Sequence, residues 1–226
     1  KLGLAVGVSQ TGRFLRHFLY QWFNTDEQGR PAYDGLMIIA AGAGRGSFNH
    51  RFAQPSRDAH RYSAFFYPTD LFPFTSATQL DPLQWRSDGL LAHLSDPNHA
   101  PKIFYINTGY EYWGRVASLT HTTPDGTADI APLPNERVYH LASAQNFVGA
   151  FPNATDRVGD APVYRGNPLD FSGNYRALLV RLVEWLENGA VPPLSTYPAI
   201  TDATLVSPRA VAFPSIPGVA FPQTIH

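Results

Sequence analysis

The stretch Leu4–Arg13, "LAVGVSQTGR", decides how this chain of 226 residues is read. Leu2 to Val8 is a nearly unbroken apolar run bounded by glycine, the pattern of a strand buried on both faces of a parallel sheet. Beyond Gly12, residues Phe14, Leu15, Phe18, Leu19 and Trp22 form one apolar stripe at helical period. Ser9 sits on the turn between the two. An exposed hydroxyl there needs a tight bend with positive φ, tolerable only between small neighbours, and Gly7 and Gly12 supply them. The pattern approaches the G-x-S-x-G nucleophile elbow, with the second glycine one position late. In that reading the backbone N–H of Gln10, at the helix start, helps to stabilise an oxyanion. The same residues also fit a plain Ser N-cap of a strand-to-helix connection.

Working outward, "LMIIAA" (36–41) reads as a second buried strand running into the glycine-rich "GAGRG". "KIFYIN" (102–107) is a third strand and "RVYHLAS" (137–143) a fourth. A clear helix carries Leu178, Leu179, Leu182, Val183 and Leu186 on one face, with Gly189 at its C-cap and Pro192 and Pro193 preventing continuation. Buried strands separated by helices and long loops predict an α/β fold, a mostly parallel sheet with helices on both faces. The aromatic- and proline-rich segment 47–98 shows one weak helical pattern around "DPLQWRSDGLLAHL" (81–94) and reads either as a cap-like excursion over a pocket or as ordinary surface packing. The whole of 1–226 is expected to form a single domain.

Composition excludes several classes of function. Charge is balanced, with 17 Lys and Arg against 18 Asp and Glu and no basic run, so nucleic-acid binding is not expected. No stretch is long and apolar enough for a membrane span. The absence of cysteine removes disulfides and thiolate metal sites. The eight histidines include no H-E-x-x-H pattern, and neither glycine-rich stretch has the ending of a phosphate loop or the spacing of a dinucleotide site. No cofactor or metal is expected. No signal-peptide pattern stands at Lys1, whose surroundings look internal, so the compartment is left open.

Candidate partners for Ser9 follow in chain order. Glu111 comes just past the third strand, between Tyr110 and Tyr112, and could orient an imidazolium; an ion pair with Arg115, four residues on, is the competing role. Four stretches together resemble one family: "GVSQTGRFLRHFLYQWFN" (7–24), "AGAGRGSFNHRFAQPSR" (41–57), "EYWGRVASLTHT" (111–122), and the closing series from "NPLDFSGNYRALLVRLVEWL" (167–186) through "GAVPPLSTYP" to "FPSIPGV". They resemble the bacterial α/β-hydrolase-domain proteins of uncharacterised carboxylic-ester-hydrolase type, over nearly the whole chain.

That resemblance implies a serine hydrolase with Ser9 as nucleophile and Glu111 as acid, acting on a small-molecule ester. It also implies a protein of which this chain is the C-terminal half. A preceding N-terminal segment or companion chain would then complete the sheet and supply the second oxyanion donor. One departure stands out. In "YHLASAQNFVGAFP" (139–152), Asn146 occupies the place where the resemblance expects the catalytic histidine. His140 is the nearest alternative base, with His121 and His50 further candidates, and each equally fits a packed or hydrogen-bonded histidine. A hydrolase-fold binding or assembly module without catalysis is the competing function.

Overall fold

The computed structural model describes residues 1–46, 70–94, 96–149 and 167–221. Its centre is a four-stranded parallel sheet in the order β1 (Leu4–Val8), β2 (Gly35–Ile39), β5 (Lys102–Thr108) and β6 (Glu136–Leu141). The register carries Val8 to Ile39, Ile39 to Ile106 and Ile106 to Tyr139, so all four strands end at one rim. Each of these strands coincides with one of the four apolar runs in the sequence.

The two faces are covered by different helices. Helix α1 (Gln10–Tyr20) lays Leu15 and Leu19 on Leu36, Ile38, Ile103, Tyr105 and Val138. On the opposite face α3 (Ser172–Asn188) packs Leu182 and Trp185 against Met37, Ile39, Phe104, Ile106 and Tyr139. Gly189 ends α3 in the left-handed conformation that its position in the sequence predicts. Helix α1 ends at Tyr20, two residues before the last residue of the predicted stripe, because Trp22 takes φ 62°. Beyond α3 the chain runs as an exposed strap, and Thr196 bridges to Tyr139 along the outer edge of β6.

Between β2 and β5, residues 47–69 of the expected cap lie outside the described residues. The helical pattern at 81–94 is corrected. Residues Gln79–Asp81 (β3) and Arg86–Asp88 (β4) pair as an antiparallel hairpin. Local chemistry opposes a helix there: the Asp81 carboxylate accepts from the Leu83 N–H in an Asx turn, and Trp85 adopts φ 52°. Among the described residues no helix is long and apolar enough to cross a membrane.

Candidate active site

Ser9 leaves β1 with φ 54° and ψ −115°, a combination that side chains rarely adopt. Three contacts hold the bend. The Ser9 N–H donates to the Ile39 carbonyl at 2.8 Å, the Arg13 N–H returns to the Ser9 carbonyl at 3.0 Å, and the Thr11 hydroxyl both accepts from the Val8 N–H and donates to the Val8 carbonyl, each at 2.8 Å. A Cβ on Gly7 would lie 2.6 Å from the Thr11 carbonyl oxygen, so only glycine lets the helix start this close to the strand. The Ser9 hydroxyl makes no capping hydrogen bond, which removes the N-cap account of this serine. It is partly exposed at the rim, and Gln10 opens the helix beside it.

Glu111 stands on the same rim two strands away, a separation of about 10 Å at normal strand spacing. It is the third residue of α2 (Gly109–Gly114), where it closes a capping box with Thr108. The carboxylate is fully buried, at 0% exposure. Its Oε2 accepts from the Thr108 N–H at 2.8 Å and the Thr108 hydroxyl at 2.6 Å, and its Oε1 accepts from Asn146 Nδ2 at 2.5 Å. These three donors offset the desolvation of the charge. The expected alternative, an ion pair with Arg115, is not formed among the described residues.

The loop after β6 therefore brings Asn146 onto the acid. An amide there donates to Glu111 as an imidazole would, but it has no lone pair basic enough to take the serine proton. The other histidines stand elsewhere. His140 lies on β6, at the far edge of the sheet from β1, with its ring 4.7 Å from that of Tyr112. Three strand spacings separate its backbone from Ser9, about 14 Å, and it is not brought together with the nucleophile. His121 is fully buried, with Nε2 2.8 Å from the Tyr112 hydroxyl and its ring against Tyr197; burial depresses its pKa to about 4. His50 lies outside the described residues.

Several residues at this rim were not singled out from sequence. Thr108 heads a T-x-x-E pattern, which is a legible capping-box signature. Asn107 Oδ1 accepts from the Gly42 N–H at 3.0 Å and fixes the loop after β2. A Cβ on Gly42, which has φ 62°, would fall 2.0 Å from the Arg115 carbonyl oxygen. Arg16 is buried beneath α1 and donates to the carbonyls of Ala43, Gly44 and Phe74. No sequence pattern distinguishes that arginine from a surface one. Among the described residues no three His, Asp or Glu side chains converge as a metal centre.

Comparison with known proteins agrees with this architecture. A family model described as "Alpha/beta hydrolase domain" matches residues 2–212. No curated protein and no solved structure gives a match. The match spans both covered faces of the sheet, the Ser9 bend and the Glu111 helix, and the chain belongs to the α/β-hydrolase domain family.

Proposed function

We propose that this chain carries the nucleophile and the acid of a serine hydrolase acting on carboxylic esters. The observation that carries the proposal is the strained Ser9 backbone, held at the strand rim with its hydroxyl free of any cap bond. In this reading Ser9 Oγ attacks the acyl carbon and a base takes its proton. The Gln10 N–H stabilises the oxyanion, and the alcohol leaves with the proton returned by the base. Water then repeats the sequence on the acyl-serine. Glu111 orients and stabilises the protonated base. Transfer of the acyl group to an alcohol acceptor uses the same residues. The aromatic-rich 47–98 segment is suited by composition to cover an apolar acyl pocket.

Asn146 supports a second reading, in which the scaffold binds or assembles without turnover. Hydrolysis of 4-nitrophenyl butyrate by the parent chain, Asn146→His and Asn146→His/Ser9→Ala separates the two. The hydrolase reading expects Asn146→His to exceed the parent by on the order of a hundredfold, the usual worth of a positioned base, and Ser9→Ala to abolish the gain. Equal background rates in all three folded proteins would favour the binding module.

A further inference from the structure

The closing stretch "FPSIPGV" (213–219) takes no part in the chemistry at Ser9, and it lies beyond the residues 2–212 that the family model matches. Phe213, Ile216 and Val219 are all exposed. Scattered exposed apolar residues need no account, but a contiguous group of them marks a recognition surface.

This group is built rather than scattered. Pro208–Ala210 makes a single 3-10 turn, and the Phe213 N–H donates to the Val211 carbonyl at 2.8 Å. The Val219 N–H donates to the Ile216 carbonyl at 3.0 Å across Pro217 and Gly218, which has φ 77°. Proline followed by a left-handed glycine is what a type II turn requires at its centre. The turn folds the chain back so that Phe213 and Phe221 stack, with centroids 4.7 Å and planes 20° apart. Phe221 in turn meets the Trp113 ring of α2 edge-on at 5.5 Å, which anchors the loop to the body of the protein. Pro208, Pro214 and Pro217 restrict the backbone, so the ordering of this loop is largely complete before a ligand arrives.

The fold of the loop leaves a cavity of about 300 Å³ walled by Val211, Phe213, Ile216, Val219 and Phe221, with Arg209 as its one charged lining residue. Small-molecule sites share this make-up, an apolar wall with few polar groups, and span about 300–1,000 Å³, so this one suits a single compact ligand. Aromatic rings prefer offset stacks and edge-to-face contacts, which the Phe213–Phe221 wall offers to a flat ring. A guanidinium binds a carboxylate through paired N–H donors.

We propose that residues 208–221 form a binding site for a flat aromatic carboxylate, its ring against Phe213 and Phe221 and its charge toward Arg209. The site makes no use of Ser9 or Glu111, so it goes beyond the hydrolase reading and is tested separately from it.

NMR titration of the whole chain with 2-naphthoate, and with the neutral 2-naphthamide, tests the site. In the parent, naphthoate should shift the amide signals of residues 209–221 and bind more tightly than naphthamide. Ser9→Ala should behave as the parent does. Arg209→Gln should weaken naphthoate about two- to fivefold, the worth of an exposed ion pair, and leave naphthamide unchanged. Phe213→Ala should weaken both ligands about two- to tenfold, the worth of an aromatic pair. Val219→Trp, which fills the cavity while keeping both phenylalanines, should block both ligands and covers a Phe213→Ala loop that collapses. Unchanged signals from the sheet verify that each variant is folded. Equal binding of the two ligands by the parent, shifts confined to other parts of the chain, or undiminished naphthoate binding by the Arg209 and Phe213 variants would overturn the site. Shifts of the same signals on raising the protein concentration without ligand would place a second copy of the chain on the loop, and would overturn it as well.

Discussion

At Ser9 the backbone holds a conformation that costs roughly 1–3 kcal/mol in a non-glycine residue. The chain bears this because the Thr11 hydroxyl, the Ile39 carbonyl and the missing side chain of Gly7 together leave no other path. Replacing Ser9 by glycine should therefore raise unfolding stability by about 1 kcal/mol while removing any covalent reactivity at this position. Chemical denaturation checks the first effect and probe labelling the second. Gly7→Ala should act in the opposite direction, costing on the order of 1–3 kcal/mol through contact with the Thr11 carbonyl. The bend was legible in the sequence because its small residues are local. The burial of Arg16 was not, since its carbonyl partners at Gly44 and Phe74 come from distant parts of the chain.

The elements were legible where one physical pattern ruled and obscure where several competed. Each core strand is a continuous apolar run, so the sheet could be read directly. The segment 81–94 has a helical period, yet an Asx turn and a left-handed Trp85 convert it into a hairpin. Strand β6 hides a further feature at its start. Glu136 is fully enclosed, and burial raises its pKa to about 7, so the folded chain favours the neutral acid. Its stabilising contribution is complete below the unfolded value of 4.5 and is lost as pH rises through 7. His121 behaves in the opposite way. Its pKa falls from 6.5 to about 4 on folding, so its contribution is present above pH 6.5 and lost as pH falls toward 4, by on the order of 3 kcal/mol. Between pH 4.5 and 6.5 the two slopes oppose each other. Denaturant melts of Glu136→Gln should unmask the histidine, with stability climbing over that interval more steeply than in the parent. An unchanged slope would contradict the Glu136 assignment, and a flat profile in Glu136→Gln would contradict that of His121.

For the molecule as a whole, the telling feature is asymmetry. The β6 edge is bridged by the C-terminal strap through Thr196, whereas β1 pairs only with β2 among the described residues. Val6 is 51% exposed and Val8 43%, on the sheet face that α3 covers over the inner strands. A bare apolar strand edge is a template for strand addition. In the proposed hydrolase a preceding or companion segment pairs there and brings the second oxyanion donor to Ser9. Full turnover of a short-chain nitrophenyl ester by this chain alone would contradict that requirement.

The most direct test of the central claim is the rate at which a fluorophosphonate modifies the protein, with the modified peptide identified by mass spectrometry. A single phosphonyl group is expected on the peptide containing Ser9. It should form at least about tenfold faster in Asn146→His than in the parent, because a positioned imidazole can take the proton, and not at all in Ser9→Ala. Modification at another residue, or no reaction in a folded Asn146→His protein, would contradict it.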